Sequence, residues 1–427
     1  MIRYKPYPAY KDSGTEWLGE VPEGWEVKRL RHVASFKNSN VDKKTYEDQI
    51  PVKLCNYTDV YYNELITKNL SFMPSTASAN EIEQFSLKKG DVIITKDSGN
   101  KLEIGVPALV SEEIDGIVCG YHMTIIRCDN FDTARLLHRI LQSRPTKAHF
   151  LVKALGVTIY GLSQDAIADT SFCLPPGTER RKIVDHIDHE TSFIDALIQK
   201  NTRLMELLKE KRSALITHAV TKGLDPNVKM KESGMPWLGE IPSHWTVQTV
   251  WMNFILGRGR VISHSDISSQ PGPYPVYSSQ TENDGILGSI STYDFSGEYL
   301  TWTTDGAKAG TVFRRQGKFN CTNVCGTLKP KQDLDLTFFH HAIDCSVQSF
   351  VRLDINPKLM NNVIANIRIA VPPLVEQGEI ANFIISEIKK IEHLHKQTET
   401  MTDCLRERRS AFITAAVTGQ IDLREAA

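Results

Sequence analysis

SGTEWLGEVPEGW, from Ser13 to Trp25, returns as SGMPWLGEIPSHW, from Ser233 to Trp245, identical at 8 of 13 places. Two tryptophans in register make coincidence implausible, and self-similarity on this scale marks a duplicated unit. A second pair agrees. KEKRSALITHAVT, Lys209 to Thr221, returns as RERRSAFITAAVT, Arg406 to Thr418, and both Lys-to-Arg exchanges keep the charge. The offset is 220 residues at the first anchor and 197 at the second, so copy two carries 23 fewer residues between its anchors. The frame repeats while the contents differ.

Between the anchors, roughly residues 26–174 and 246–371 are rich in Val, Ile, Thr and Tyr, in short alternating runs bounded by Gly, Pro, Asn and Asp. GDVIITKDSG (Gly90 to Gly99) aligns loosely with GEYLTWTTDG (Gly297 to Gly306), and CGYHMTIIR (Cys119 to Arg127) with CTNVCGTLK (Cys321 to Lys329). These predict two β-rich heads of one fold, with helices near 133–152 and 335–351. After Pro175-Pro176 and Pro372-Pro373 apolar residues recur at alternating spacings of four and three, a heptad seam. The first reads Ile183, Ile187, Glu190, Ile194, Leu197, Asn201, Leu204, Leu208, Lys211, Leu215. The second reads Ile380, Ile384, Glu387, Ile391, Leu394, Thr398, Met401, Leu405, Arg408, Phe412. Helices of about 55–60 Å outrun one small domain, so they are expected to cover each other. Parallel pairing would stack Glu190 on Glu387 and Lys211 on Arg408. Antiparallel pairing centred on Asn201 and Thr398 sets Glu190 against Arg408 and Glu387 against Lys211, and is the arrangement expected.

The fold class is therefore mixed α/β: a pseudo-two-fold tandem duplication with two β-rich heads and two long antiparallel coiled-coil helices. The expected segments are 1–25, 26–174, 175–222, 223–245, 246–371 and 372–422. At 427 residues and 41% hydrophobic content each head can bury its own core. Neither a signal peptide nor a membrane span is visible, and eight scattered cysteines suit a reducing compartment, so cytoplasm is the expectation. A net charge of -1 gives no hint of nucleic acid, so any such partner must be met by local patches.

Two heads on an antiparallel ruler suit duplex DNA, whose successive major-groove faces lie about 34–36 Å apart. The WLGE and PEGW boxes, the Pro-Pro followed by Glu179 and Ile183, and the KRSALIT run resemble type I restriction-modification specificity subunits over essentially the whole chain. The resemblance implies two target recognition domains, each reading one half of a split, asymmetric site, and a subunit without catalysis. It also implies helices that dock two methyltransferase subunits, which use S-adenosylmethionine, and a complex with restriction subunits that use ATP and Mg2+. No cofactor is expected in this chain. No adenine-methylation motif of the Asn-Pro-Pro-aromatic type is present, and the P-loop lookalike from Gly310 to Lys318 has six residues between its glycines rather than four. One departure is the basic patch Lys28, Arg29 and Arg31, which has no twin in copy two.

Base readout needs paired donors and acceptors, and phosphate contact needs cations or small hydroxyls, on loops that enter a groove. In head one the candidates are Lys96, Asp97, Ser98, Asn100 and Lys101, then Lys37, Asn38, Lys43 and Lys44, with Thr158 and Tyr160 before the Pro-Pro. In head two they are Thr303, Thr304, Lys308, Arg314 and Arg315, then Arg258, Arg260, Tyr277, Ser279 and Gln280, with Asn356 and Lys358 before the second Pro-Pro. Solvated hairpin tips would use the same residues. Cys321, Cys325, His341 and Cys345 have zinc-like spacing, but a strand interior explains the first two and no metal is expected. A coiled-coil scaffold whose heads hold proteins or glycans is the competing reading.

Overall fold

The computed structural model describes residues 4–347, 350 and 357–424. It divides into two units, one formed by Met1–Thr202 with Thr400–Ala427 and the other by Arg203–Glu399. The long helices are Gly177–Lys222 and Leu374–Val417, so each unit takes the start of one and the end of the other.

In the first unit the opening box folds as a hairpin, Tyr10–Asp12 against Glu20–Pro22. Trp25 follows it into the core, and Glu26–Arg29 then pairs with Ser171–Leu174. The box also reaches residues far from it in sequence. Val21, Trp25 and Leu30 share one core with Ile183, Val184 and Ile187 from the start of the first helix and with Ile413, Ala416 and Val417 from the end of the second. Gly419 stops that second helix at φ 72, a left-handed position that glycine adopts without Cβ strain. The Tyr10 hydroxyl donates to its carbonyl at 3.0 Å. A Cβ on Gly419 would lie 2.4 Å from Pro22, so Gly419→Ala is expected to lower the urea midpoint by the equivalent of about 2 kcal/mol. Gly14→Ala, also at positive φ but with open space around it, should cost about half as much.

Head one is built on a five-stranded sheet in the order Ala34–Asn38, Met123–Cys128, Asp91–Thr95, Pro107–Val110, Leu65–Ile66. The central strand is fully buried because both of its faces are covered. Val92 and Ile94 pack with Leu136, Leu137 and Ile140 of the helix Phe131–Gln142. Ile93 points the other way, towards the three-stranded sheet of Ile117–Cys119, Ile50–Cys55 and Met73–Ala77.

The second unit repeats the plan. Met230–Glu232 pairs with Glu240–Pro242, and Thr246–Thr249 with Arg368–Val371. Trp245 packs with Ile216, Ala219 and Val220 at the end of the first helix and with Ile380, Ala381 and Ile384 at the start of the second. Its indole N–H donates to Glu376 at 3.0 Å; in the first unit Glu179 instead receives the Tyr7 hydroxyl. Head two carries a six-stranded sheet in the order Phe254–Arg258, Cys325–Pro330, Phe295–Thr303, Val312–Cys321, Pro271–Tyr277, Ile286–Ile290, with the helix Leu336–Val347 against it.

Within each unit the helix segments run antiparallel, since the start of one shares a core with the end of the other. The polar seam residues take other bonding partners than those expected. Asn201 donates to Thr402 at 3.2 Å, one turn beyond Thr398, whose hydroxyl goes to Leu394 of its own helix. Among the described residues no ion pair joins Glu190 to Arg408 or Glu387 to Lys211. Glu387 pairs with Lys390 at 2.6 Å, and Glu190 lies 3.9 Å from His189. Exposed ion pairs contribute only about 0–1 kcal/mol, too little to set register against buried isoleucines. The seam is also less covered than expected: Leu197, Leu204, Leu394 and Met401 are 43–53% exposed.

Arginines join head one to the helices in its unit. Arg135 pairs with Asp185 (2.8 Å) and Asp188 (2.6 Å), Arg139 with Asp188 (2.8 Å) and Glu64 (3.1 Å), and Arg409 with Glu64 (2.6 Å) and Asp195 (2.7 Å). Burial opposes ionisation of Glu64, but Arg409 and Arg139 outweigh it and hold the carboxyl at about 2. His138, between them, is pushed down to about 4 by burial and then by Arg139. A histidine neutral when folded but titrating near 6.5 when unfolded gives full stability above that pH and loses it on acidification. About 2 kcal/mol should disappear between pH 7 and pH 5, read from urea midpoints, and His138→Gln should flatten that slope. Glu64 adds a loss of the same sign below about pH 4.5.

Candidate nucleic-acid interface

Both heads end their central buried strand in the same way. Thr95 donates its N–H to the Val106 carbonyl (3.1 Å) and its hydroxyl to the Glu103 carbonyl (2.8 Å), and receives the Gly105 N–H at its carbonyl (2.8 Å). Thr303 does the same with Thr311 (3.1 Å), Lys308 (2.6 Å) and Gly310 (2.8 Å). The next residue, Lys96 or Thr304, donates its N–H to a turn carbonyl, His122 at 2.8 Å or Val324 at 3.0 Å. It then accepts from the residue that follows the pre-proline segment, Leu162 at 3.0 Å or Leu359 at 2.9 Å. A loop, a turn and a pre-proline segment are thus bound into one backbone frame in each head.

The frame of head one gathers several expected residues. Lys96 lies 3.6 Å from Asp97 and over the Tyr121 ring, Lys101 lies over the Tyr160 ring, and Tyr160 pairs with Ser98 across the strand. Ser98 and Asn100 both donate to Glu103, at 3.2 and 3.0 Å. Thr158 is exposed. Exposed Lys43 and Lys44 lie on the loop leaving Val41, which bridges Gly120 beside the turn. Lys37 is exposed on an edge strand, while Asn38 accepts from Thr124 at 2.7 Å. The basic patch is partly neutralised: Lys28 pairs with Glu26, and Arg29 and Arg31 with Asp169.

In head two, Lys308 is exposed and Lys358 pairs with Asp305 at 3.5 Å. Arg258 donates to the Asn323 carbonyl at 2.5 Å, Arg260 pairs with Asp294 at 2.8 Å, Ser279 is half-buried, and Gln280 donates to the Ile286 carbonyl. Three expectations are corrected. Thr303 and Thr304 are buried with their hydroxyls committed to Lys308 and Asp305, because Thr303 ends the buried central strand and Thr304 follows it directly into the backbone frame. Arg315 is 2% exposed, pairs with Asp284 and lies over Tyr277 at 3.6 Å, so it braces the head and cannot meet a phosphate. Arg314, its neighbour on the strand, takes the opposite face and binds Glu298 and Thr337. Asn356 lies outside the described residues. Cys321 and Cys325 are strand residues in the core, and among the described residues no group of three or more His, Cys, Asp or Glu could hold a metal ion.

Sequence reasoning missed Tyr121 and His122. Tyr121 is 48% exposed, and its ring centroid lies 3.8 Å from that of His122. His122 takes φ 75, a left-handed conformation that costs a histidine energy, and bonds through Nδ1 to Asp97. The Gly-Tyr-His between two apolar runs signals a turn, but nothing in it signals the strain.

A family model described as the type I restriction modification DNA specificity domain matches residues 22–206 and 253–401. The type I restriction enzyme MpnII specificity subunit of Mycoplasma pneumoniae is 45% identical over 131 residues, 30% of this chain and 39% of that one. S.MpnORF507P, named as a type I specificity subunit of the same organism, is 46% identical over 131 residues, 30% of this chain and 36% of that one. The chain thus spans between a third and two fifths of the length of these relatives. A chain solved in work on complex assembly and conformational transition of the type I R-M system has the same fold, with TM-score 0.71 at 15% identity over 94% of this chain and 99% of that one. Among the described residues no helix is long and apolar enough to cross a membrane. With the family's match repeated along most of its length and its frame built twice, the chain belongs to the type I restriction-modification specificity subunits.

Proposed function

We propose that this chain is the DNA-reading subunit of a type I restriction-modification complex, each head reading one half of an asymmetric bipartite duplex site. The observation that supports this is the one backbone frame built twice around unlike side chains: Lys96, Lys101, Tyr121 and Tyr160 in head one, Lys308, Lys358 and Arg258 in head two. A shared scaffold with divergent tips is what two half-sites of different sequence require. The chain supplies no chemistry. Two methyltransferase subunits using S-adenosylmethionine modify adenine N6, and restriction subunits using ATP and Mg2+ cleave. Phe193, Leu197 and Met401 in the first unit, and Leu204, Leu207 and Leu394 in the second, are apolar and 43–58% exposed on the long helices, and each unit offers its own set to a methyltransferase.

Retention of a split-site duplex tests the reading. Binding should weaken with salt, roughly a thousandfold between 50 and 200 mM for about six phosphate contacts, and should fail when either half-site is scrambled. Salt-insensitive capture of a protein partner with no duplex binding would favour the scaffold instead.

A further inference from the structure

In head one the turn at Tyr121 and His122 is held from beneath. The His122 carbonyl accepts the Lys96 N–H at 2.8 Å, and the Tyr121 N–H donates to Val41 at 2.7 Å. Asp97, only 16% exposed in its side chain, accepts from His122 Nδ1. Asp97 was a candidate base contact by sequence, but its carboxylate is turned to this internal partner. With Nδ1–H directed at Asp97, Nε2 is the ring nitrogen left to face a ligand, and it accepts in the neutral form of the ring; among the described residues it has no hydrogen-bond partner. The ring is 41% exposed and is flanked by Tyr121 and, over that ring, Lys96. A residue kept at φ 75, where glycine would sit without strain, marks a side chain retained for something other than the turn.

We propose that His122 is a specificity-determining residue of head one, its Nε2 accepting a hydrogen bond from the exocyclic amine of adenine or cytosine in the major groove, with Asp97 as the positioning residue. Among the bases only those two present an amine donor in that groove, adenine N6 and cytosine N4. Head two has Asn323 and Val324 at the same place, with Arg258 bound to the Asn323 carbonyl, so the device is confined to one half-site. The inference rests on the proposed DNA reading of head one.

The test uses the full chain with its methyltransferase partners and a set of split-site duplexes. In each duplex one adenine or cytosine of the head-one half-site is replaced by an analogue lacking the amine. At one position the wild type should lose about tenfold in affinity, while His122→Gly, which also relieves the φ strain, should lose nothing further on amine removal. His122→Gly should melt no lower than wild type, separating readout from folding. His122→Asn, which tolerates positive φ and keeps an acceptor, should retain part of the discrimination. Equal losses for wild type and His122→Gly at every adenine and cytosine would overturn the inference. A wild type that retains no split-site duplex would instead overturn the proposed function.

Discussion

Replacing Arg139 by alanine is expected to destabilise the first unit by about 2 kcal/mol, because it removes a nearly buried guanidinium together with its charge-assisted bonds. The Arg139 side chain is 10% exposed and reaches Asp188, Glu64 and Gln142 together. The loss stays below what an uncompensated buried charge costs, about 3–5 kcal/mol, because Asp188 and Glu64 are 37% and 43% exposed and keep Arg135 and Arg409 as partners. Arg139→Lys should recover little, since one ammonium cannot replace a planar fork with several donors. Urea midpoints report the loss, and a change below about 1 kcal/mol would show that the neighbouring arginines carry the network alone.

Trp302→Ala should cost the second unit about 3–5 kcal/mol and also blunt head two as a reader. Trp302 is fully buried opposite Gly326, where any Cβ would sit 2.2 Å from the indole. Its N–H donates to the Leu359 carbonyl at 3.1 Å, tying the pre-proline segment to the strand beneath it. Trp302→Phe keeps most of the apolar surface but loses that bond, so about 1–2 kcal/mol should go. At a temperature where this variant is folded, discrimination should fall at the head-two half-site and remain at the other, as competition binding with half-site variants would read.

Much of this architecture was legible. Matching boxes exposed the duplication, and the heptads after each Pro-Pro exposed the long helices, because periodicity and repetition are properties of the chain itself. What stayed hidden depends on partners distant in sequence. Arg409 carries more of the inter-element pairing than Arg408, yet its partner Glu64 lies in head one and no periodicity links them. Thr303 and Thr304 look like groove hydroxyls until the end of the buried strand and the frame beyond it are seen to enclose them. Arg315 resembles a phosphate contact until Asp284 and Tyr277 enclose it. At the reading surface the shared frame was visible as a loose alignment, whereas the strained turn of His122 is a backbone property with no residue signature.

The seating of the opening box on the end of the second long helix has a consequence for synthesis. Trp25 leaves the ribosome well before Ile413, Ala416 and Val417, which complete its core and follow it by about 390 residues. The second unit is a continuous stretch, Arg203–Glu399, and can close first. At about 5–20 residues per second the box waits roughly 20–80 s for its seat, with Val21 and Trp25 uncovered and open to chaperone capture. A nonsense codon just before Ile413 would therefore cripple the first unit and spare the second.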